Sequence, residues 1–389
     1  MTTEQKNITI VIYAFCFRKE RKERKGKKSL LILYHIYWKI TRDYSTIFLR
    51  YPYTEVIALF GIEILGTGSY NPPLNITNDD MAKIVDTNDE WISTRTGIKS
   101  RRISDGEPTW KMGAEAAAEA VKNAGIDPMD IGLIIDTTIT NDFSTPSVAC
   151  VIQNELGAYN AAAYDLNAAC SGFVYGVDAA RRYLQTDPDM KYVLVVANEM
   201  LSKITDYTDR STCVLFGDGA AAAVIGRSEK LFTSFIGADG RGAHSLYSKA
   251  HKVFHPFRSS QTDEIDNGDY SAGTTYLVQD GKEVYKFATK ALPTAALKAA
   301  EKIGLDINEV DWFIPHQANI RIIETAAKNI GVSMDKFIVN IQNHGNTSSA
   351  SIPIALHEAI TDGIIKRGDK LCLVGFGAGL TMGAVILEY

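Results

Sequence analysis

Gly125-Ile-Asp-Pro-Met-Asp-Ile-Gly-Leu-Ile-Ile-Asp136 decides how the chain is read, because it recurs without a gap as Gly304-Leu-Asp-Ile-Asn-Glu-Val-Asp-Trp-Phe-Ile-Pro315. Each copy follows an Ala/Lys-rich stretch with helical spacing. Glycine stops the helix, an acidic turn follows, and an apolar run enters a buried strand. Two more pairs follow in the same order. Tyr164-Asp-Leu-Asn-Ala-Ala-Cys170 corresponds to Val339-Asn-Ile-Gln-Asn-His-Gly-Asn346, each a strand and turn leading into a helix. Tyr192-Val-Leu-Val-Val-Ala197 corresponds to Lys370-Leu-Cys-Leu-Val-Gly375, both continuous apolar strands. Three ordered matches at nearly one offset predict two similar halves, 60–234 and 235–389; chance likeness between α/β units is the alternative. From Phe60 onward apolar β-branched runs alternate with Ala-rich helices, the pattern of an α/β fold. A pseudo-twofold relation would bring equivalent strand-to-helix turns to the centre, with Cys170 facing Asn346.

Composition agrees with a large folded body. Of 389 residues, 46% are apolar and 22% charged, which excludes disorder. The net charge of −5 is uneven: residues 1–58 carry +7 and the remainder −12. An acidic body argues against nucleic acid as the main partner. No apolar run reaches the roughly 18 residues that would span a membrane. Five scattered cysteines form no CxxC pair, so neither a disulfide framework nor a metal site is expected, and a reducing cytoplasm fits. Segment 1–59 places its basic block after its first apolar run and lacks a small-residue cleavage site, which is not a secretory signal. It reads as a disordered extension or as upstream sequence translated from too early a start; a surface anchor and a partner-binding arm are the other readings.

The candidate chemistry sits on the turns. Cys170 follows Ala168-Ala169 and precedes Ser171-Gly172 at the start of a helical pattern, where unpaired N–H groups favour a thiolate. The bland reading, a small buried hydrophobe, is the one given to Cys150, Cys213 and Cys372. His316, in Pro315-His-Gln-Ala-Asn319, follows a buried strand at the edge where α/β proteins bind ligands. Asn346 is either a side-chain donor or a helix cap, and His344 is its rival. Gly375-Phe-Gly-Ala-Gly-Leu-Thr381 follows another strand and offers backbone N–H groups close to a ligand.

Taken together, Asn167-Ala-Ala-Cys170-Ser-Gly, Pro315-His316-Gln-Ala-Asn, His344-Gly-Asn346-Thr-Ser and Gly375-Phe-Gly-Ala-Gly-Leu-Thr resemble β-ketoacyl-acyl-carrier-protein synthase III, an acyltransferase family of the thiolase-like superfamily. Gly66-Thr-Gly-Ser-Tyr, Asp86-Thr-Asn-Asp-Glu-Trp91-Ile-Ser-Thr-Arg95-Thr-Gly-Ile98 and Phe216-Gly-Asp-Gly219 add to the resemblance, which runs from about Phe60 to Tyr389. It implies a five-layered αβαβα subunit, usually a homodimer, with Cys170, His316 and Asn346 as catalytic trio and the amides of Cys170 and Ala378 as oxyanion hole. It also implies that Thr87, Trp91, Arg95 and Arg210 hold coenzyme A, with Trp91 and Arg210 flanking the adenine. Gly281 and Asn319 would line the pantetheine tunnel. Lys286 and Arg321, with Gln317, Ala318, Asn319 and Ile320, would meet the acidic carrier protein.

The implied reaction initiates fatty-acid synthesis by condensing an acyl-CoA with malonyl-carrier protein. It needs no metal or redox cofactor and involves neither nucleic acid nor membrane. A condensing enzyme of secondary metabolism and a non-catalytic acyl-carrier-binding subunit are the alternatives. Three departures stand out: Met382 replaces the usual Trp, Ala378 replaces a frequent Gly, and Asn141-Asp-Phe-Ser-Thr-Pro146 leaves primer choice open.

Overall fold

Among the described residues thirteen strands alternate with helices: β1 (Gly61–Tyr70), β2 (Leu74–Thr77), β3 (Ser100–Ile103), β4 (Ile131–Thr137), β5 (Ala162–Leu166), β6 (Tyr192–Met200), β7 (Asp218–Ser228), β8 (Phe232–Ala238), β9 (Leu246–Tyr247), β10 (Val278–Gln279), β11 (Trp312–Pro315), β12 (Lys370–Gly377) and β13 (Thr381–Glu388). The computed structural model describes residues 61–249 and 275–389. Segment 1–59 and the reading given to it lie outside the described residues.

The repeat is written in the sheets. One sheet runs β1-β7-β6-β4-β5 and the other, read from its far edge, β8-β13-β12-β11. The two orders coincide when β8, β13, β12 and β11 stand for β1, β7, β6 and β4. In place of β5 the second sheet has a single bridge, Phe313 to Phe337. β8 opens the second repeat, so the junction between halves falls in the turn before Phe232 and not at 234/235, which lies inside that strand. β8 belongs to the second sheet because it pairs with β13 throughout.

Among the described residues the helices of eight residues or more are α1 (Asp89–Thr96), α2 (Thr109–Ala124), α3 (Val148–Leu156), α4 (Gly172–Thr186), α5 (Gly281–Glu301), α6 (Ile320–Ile330) and α7 (Ser351–Thr361). Buried Met112, Ala116 and Ala120 on α2 recur at helical spacing and pack on Ile134, Leu194 and Val196. On the opposite face of the same strands, Val193 and Val195 meet Phe173 and Val177 of α4 and Ile352 and Leu356 of α7. Successive strand residues point to opposite faces. The outer face of the second sheet, with Phe313 and Cys372, packs under Ala288 and Leu292 of α5 and Ile323 of α6. The sequence of layers is therefore αβαβα. Both sheets are covered on both faces, which is why their strands read as unbroken apolar runs. Gly125 and Gly304 each adopt φ 66°, the left-handed turn that sends each repeat from its helix toward its strand.

Candidate active site

The two central helices start the same way. Before α4, Ala169 takes φ 47°, and before α7, Ser348 takes φ 50°, the left-handed region that non-glycine residues rarely enter. Each is held by an asparagine two residues earlier. The Oδ1 of Asn167 accepts the Ala169 N–H at 3.3 Å, and that of Asn346 accepts the Ser348 N–H at 2.9 Å. The equivalents are thus Asn167 with Asn346 and Cys170 with Ser349, which corrects the expected pairing of Cys170 with Asn346. These pairs keep the offset that relates Gly125 to Gly304, and a helical turn, Ile341–His344, precedes Asn346 in the second half.

Cys170, His316, Asn346 and Ala378 line one cavity of about 230 Å³, together with Gly281, Ala318, Asn319 and Ser348. The strand β12 delivers the glycine-rich turn directly onto the cysteine. A Cβ at Gly377 would lie 2.7 Å from the Cys170 amide nitrogen, so any side chain there would collide with the cysteine's N–H. The Thr381 hydroxyl ties the same turn down, lying 3.1 Å from the carbonyls of Ala168 and Ala378 and from Ser171 Oγ.

Burial sets the protonation states. It pushes the Cys170 thiol up to about 12; the hydrogen bond with the Ser348 side chain opposes this, and the charge of Glu199 reinforces it. Desolvation therefore opposes the thiolate that the helix N-terminus would favour, and pushes the resting group toward the thiol. Burial pulls His316 down to about 3, so its imidazole is neutral at neutral pH. Its ring packs edge-on to Phe376, and its Nδ1 is buried without a hydrogen-bond partner. The Asn346 oxygen is taken by a backbone N–H, which leaves its NH₂ as the free donor. His344 is engaged elsewhere, its Nε2 2.7 Å from Glu358 Oε1, and it does not line the cavity.

The remaining expected residues divide. Arg95 and Arg210 both stack on Trp91, at 4.7 and 5.1 Å from the ring centre. Arg210 also donates to the Asp86 carbonyl. Asn319 bridges the regions, lining the cavity while its amide donates to the Arg95 carbonyl at 3.0 Å. The Thr87 hydroxyl is buried without a partner. Lys286 and Arg321 are exposed; Lys286 lies 3.5 Å from Glu283, and Arg321 donates to the Thr94 carbonyl. Ile320 is half-buried in front of Gly97. Gln317 departs from expectation. It is buried, donating to Pro315 and Ile338 carbonyls and accepting from the Asn340 N–H, so its side chain braces the loop and does not face a partner.

Cys213 and Cys372 are buried as expected, whereas Cys150 is exposed on α3. None of residues 141–146 lines the cavity. Sequence reasoning missed Glu199, fully buried behind the Ser348 turn. Its signal was an acidic residue ending the apolar run of β6.

A duplicated five-layer α/β fold with a thiol at the head of its central helix is that of the thiolase-like condensing enzymes. Residues 164–240 match the family model for 3-oxoacyl-[acyl-carrier-protein] synthase III, and residues 300–389 match the model for its C-terminal part. The chain is 48% identical over 330 residues to β-ketoacyl-[acyl-carrier-protein] synthase III of Clostridium acetobutylicum, covering 84% of this chain and 98% of that one. It is also 48% identical to the enzyme of that name from Oceanobacillus iheyensis, over 84% and 99% of the two chains. The crystal structure of 3-oxoacyl-[acyl-carrier-protein] synthase III from Aquifex aeolicus superposes with a TM-score of 0.77 at 43% identity, covering 85% of this chain and all of that one. The chain belongs to the β-ketoacyl-[acyl-carrier-protein] synthase III family.

Proposed function

We propose that the protein initiates fatty-acid synthesis by decarboxylative condensation of an acyl-CoA primer with malonyl-acyl-carrier protein. One observation carries the reading: a thiol, a neutral imidazole and a carboxamide, distant in sequence, line a single cavity. The Cys170 sulfur attacks the acyl-CoA carbonyl, and the Cys170 and Ala378 amides receive the developing oxyanion. Coenzyme A leaves. Malonyl-carrier protein then binds, and His316 and Asn346 donate to its thioester oxygen while CO₂ departs. A neutral imidazole and an amide stabilise the enolate without protonating its carbon; each such donor contributes about 3 kcal/mol. The carbanion attacks the acyl-cysteine and releases 3-oxoacyl-carrier protein. No metal or redox group enters this scheme.

Competing members of the superfamily fit less well. An elongating synthase would use a second histidine, and His344 is held by Glu358. A thiolase would use a second cysteine, and Cys372 faces the outer helical layer from inside β12.

Arg95, Arg210, Trp91 and Thr87 would take the nucleotide, and Lys286 and Arg321 the acidic carrier. A homodimer is supported by the open edge strand β5 and by Phe143, 43% exposed in the loop after β4. A cytoplasmic setting is supported by free thiols at Cys150, Cys170, Cys213 and Cys372. Among the described residues no helix is long and apolar enough to cross a membrane.

The test is incubation with labelled acyl-CoAs of graded length and branching. A mass increase confined to Cys170 and lost in Cys170→Ser is expected; no label from any primer would leave at most a binding function. His316→Ala should still take the acyl group yet fail to decarboxylate malonyl-carrier protein.

A further inference from the structure

The acylation step needs somewhere for the thiol proton to go. Among cavity-lining residues the titratable side chains are Cys170, Tyr285 and His316. His316, held neutral down to about pH 3, is a poor acceptor. Glu199 lies just outside the cavity wall, fully buried at the end of β6. Ser348, which lines the cavity together with Cys170, donates its one hydroxyl proton to Glu199 Oε1 at 2.8 Å, so toward its other side-chain partner, the Cys170 thiol, its oxygen is the acceptor. One hydroxyl therefore touches both the nucleophile and a carboxylate. Its position is strained, with φ 50°, and is held by the Asn346 cap.

We infer that Ser348 and Glu199 form a proton relay for Cys170. As sulfur attacks the thioester carbon, Ser348 takes the thiol proton and passes its own to Glu199. When the tetrahedral intermediate collapses and the carbon–sulfur bond to coenzyme A breaks, the proton returns by the same hydroxyl to the leaving sulfur. Acyl-CoA and thiol become acyl-cysteine and free coenzyme A, with no net proton change. Glu199 acts through Ser348 and is a positioning residue.

The environment suits the task. Thr140 Oγ1, the Ile139 N–H and Ser349 Oγ donate to the carboxylate at 2.7, 3.2 and 3.1 Å. Burial raises its affinity for a proton above that of an ordinary carboxylate, and these hydrogen bonds oppose the rise. The titratable groups bearing on it are Cys170 and the buried Asp136 of β4. Asp142, which also acts on Asp136, is paired with Lys203, whose ammonium donates to the Thr140 carbonyl as well.

The relay rests on the reading of Cys170 as the acylated residue, and the experiment separates the two. Single-turnover acylation by acetyl-CoA is followed by intact mass in wild type, Glu199→Gln, Ser348→Ala and Ser348→Gly, the last removing the hydroxyl while relieving the strain. Each variant is expected to acylate roughly 100-fold more slowly. Once acylated by prolonged incubation, each should condense with malonyl-carrier protein at close to the wild-type rate. The wild-type acylation rate should fall as pH drops through the Glu199 ionisation, because the base form is needed, and Glu199→Gln should lack that inflection.

A carboxylate acting only as a nearby charge predicts the reverse, since its removal makes the thiol more acidic and acylation faster. Variants that acylate as fast as wild type, or that lose acylation and condensation in equal measure, overturn the relay alone. A wild type that takes no label brings down both readings.

Discussion

The turns that begin α4 and α7 share a backbone and differ in use. Both hold a left-handed residue under an asparagine cap, and both lead into a helix of the middle layer. In the first half, the residue after the strained position is Cys170, open to the cavity. In the second it is Ser349, fully buried and donating to the Thr137 carbonyl at 2.7 Å and to Glu199. The caps have diverged the other way: Asn167 is exposed beside its turn, whereas Asn346 lines the cavity. Duplication thus supplied two equivalent frames, and in the proposed mechanism one carries the nucleophile while the other carries the enolate-stabilising amide.

The largest effect should come from moving the nucleophile. Cys170→Ala is expected to abolish labelling by acyl-CoA, and adding Ser349→Cys should not restore it, because the equivalent position has no access to the cavity. Label on residue 349 in the double variant would break the proposed division between the turns.

A smaller effect separates the asparagines. Asn346→Ala should slow malonyl decarboxylation roughly 100-fold, the loss of one oxyanion donor, and slow acylation less, through the lost cap on Ser348. Asn167→Ala should leave the chemistry near wild type and lower stability by about 1 kcal/mol, the loss of a cap. Denaturant midpoints and half-reaction rates check both, and equal catalytic losses would show that the caps have not diverged.

A further effect, absent at neutral pH and growing as pH falls, concerns His316. Its folded-state pKa of about 3 lies below the ordinary 6.5, so the unfolded chain binds the extra proton first. The stability this contributes is present above about pH 6.5 and is lost progressively as pH falls toward 3. Wild type should therefore lose stability more steeply over that window than His316→Asn, measured by urea unfolding. Parallel slopes would mean the imidazole is charged in the folded state.

Much of this was legible early. The ungapped match of Gly125 to Asp136 with Gly304 to Pro315 foretold the β4 and β11 equivalence, since local periodicity and glycine stops are written residue by residue. The site motifs marked Cys170, His316, Asn346 and Ala378, which one cavity does bring together. The register between the two turns was legible as well, because the offset that carries Gly125 to Gly304 also carries Asn167 to Asn346; the match that ended at Cys170 and Asn346 departed from it. Gln317 looked like a surface residue beside exposed Arg321, yet it spends its amide on three backbone partners inside the loop.

The sequence by itself determined the α/β class, the repeat and the residues that line the cavity at its turns, because strand and helix periods and the special needs of turns are local properties. Tertiary structure decided the protonation states and the partners. The helix start argues for a thiolate, but whether that outweighs desolvation depends on what surrounds the sulfur. That Glu199 and Ser348 meet behind it, 149 positions apart in the chain, was set only when the two sheets closed on the central helices.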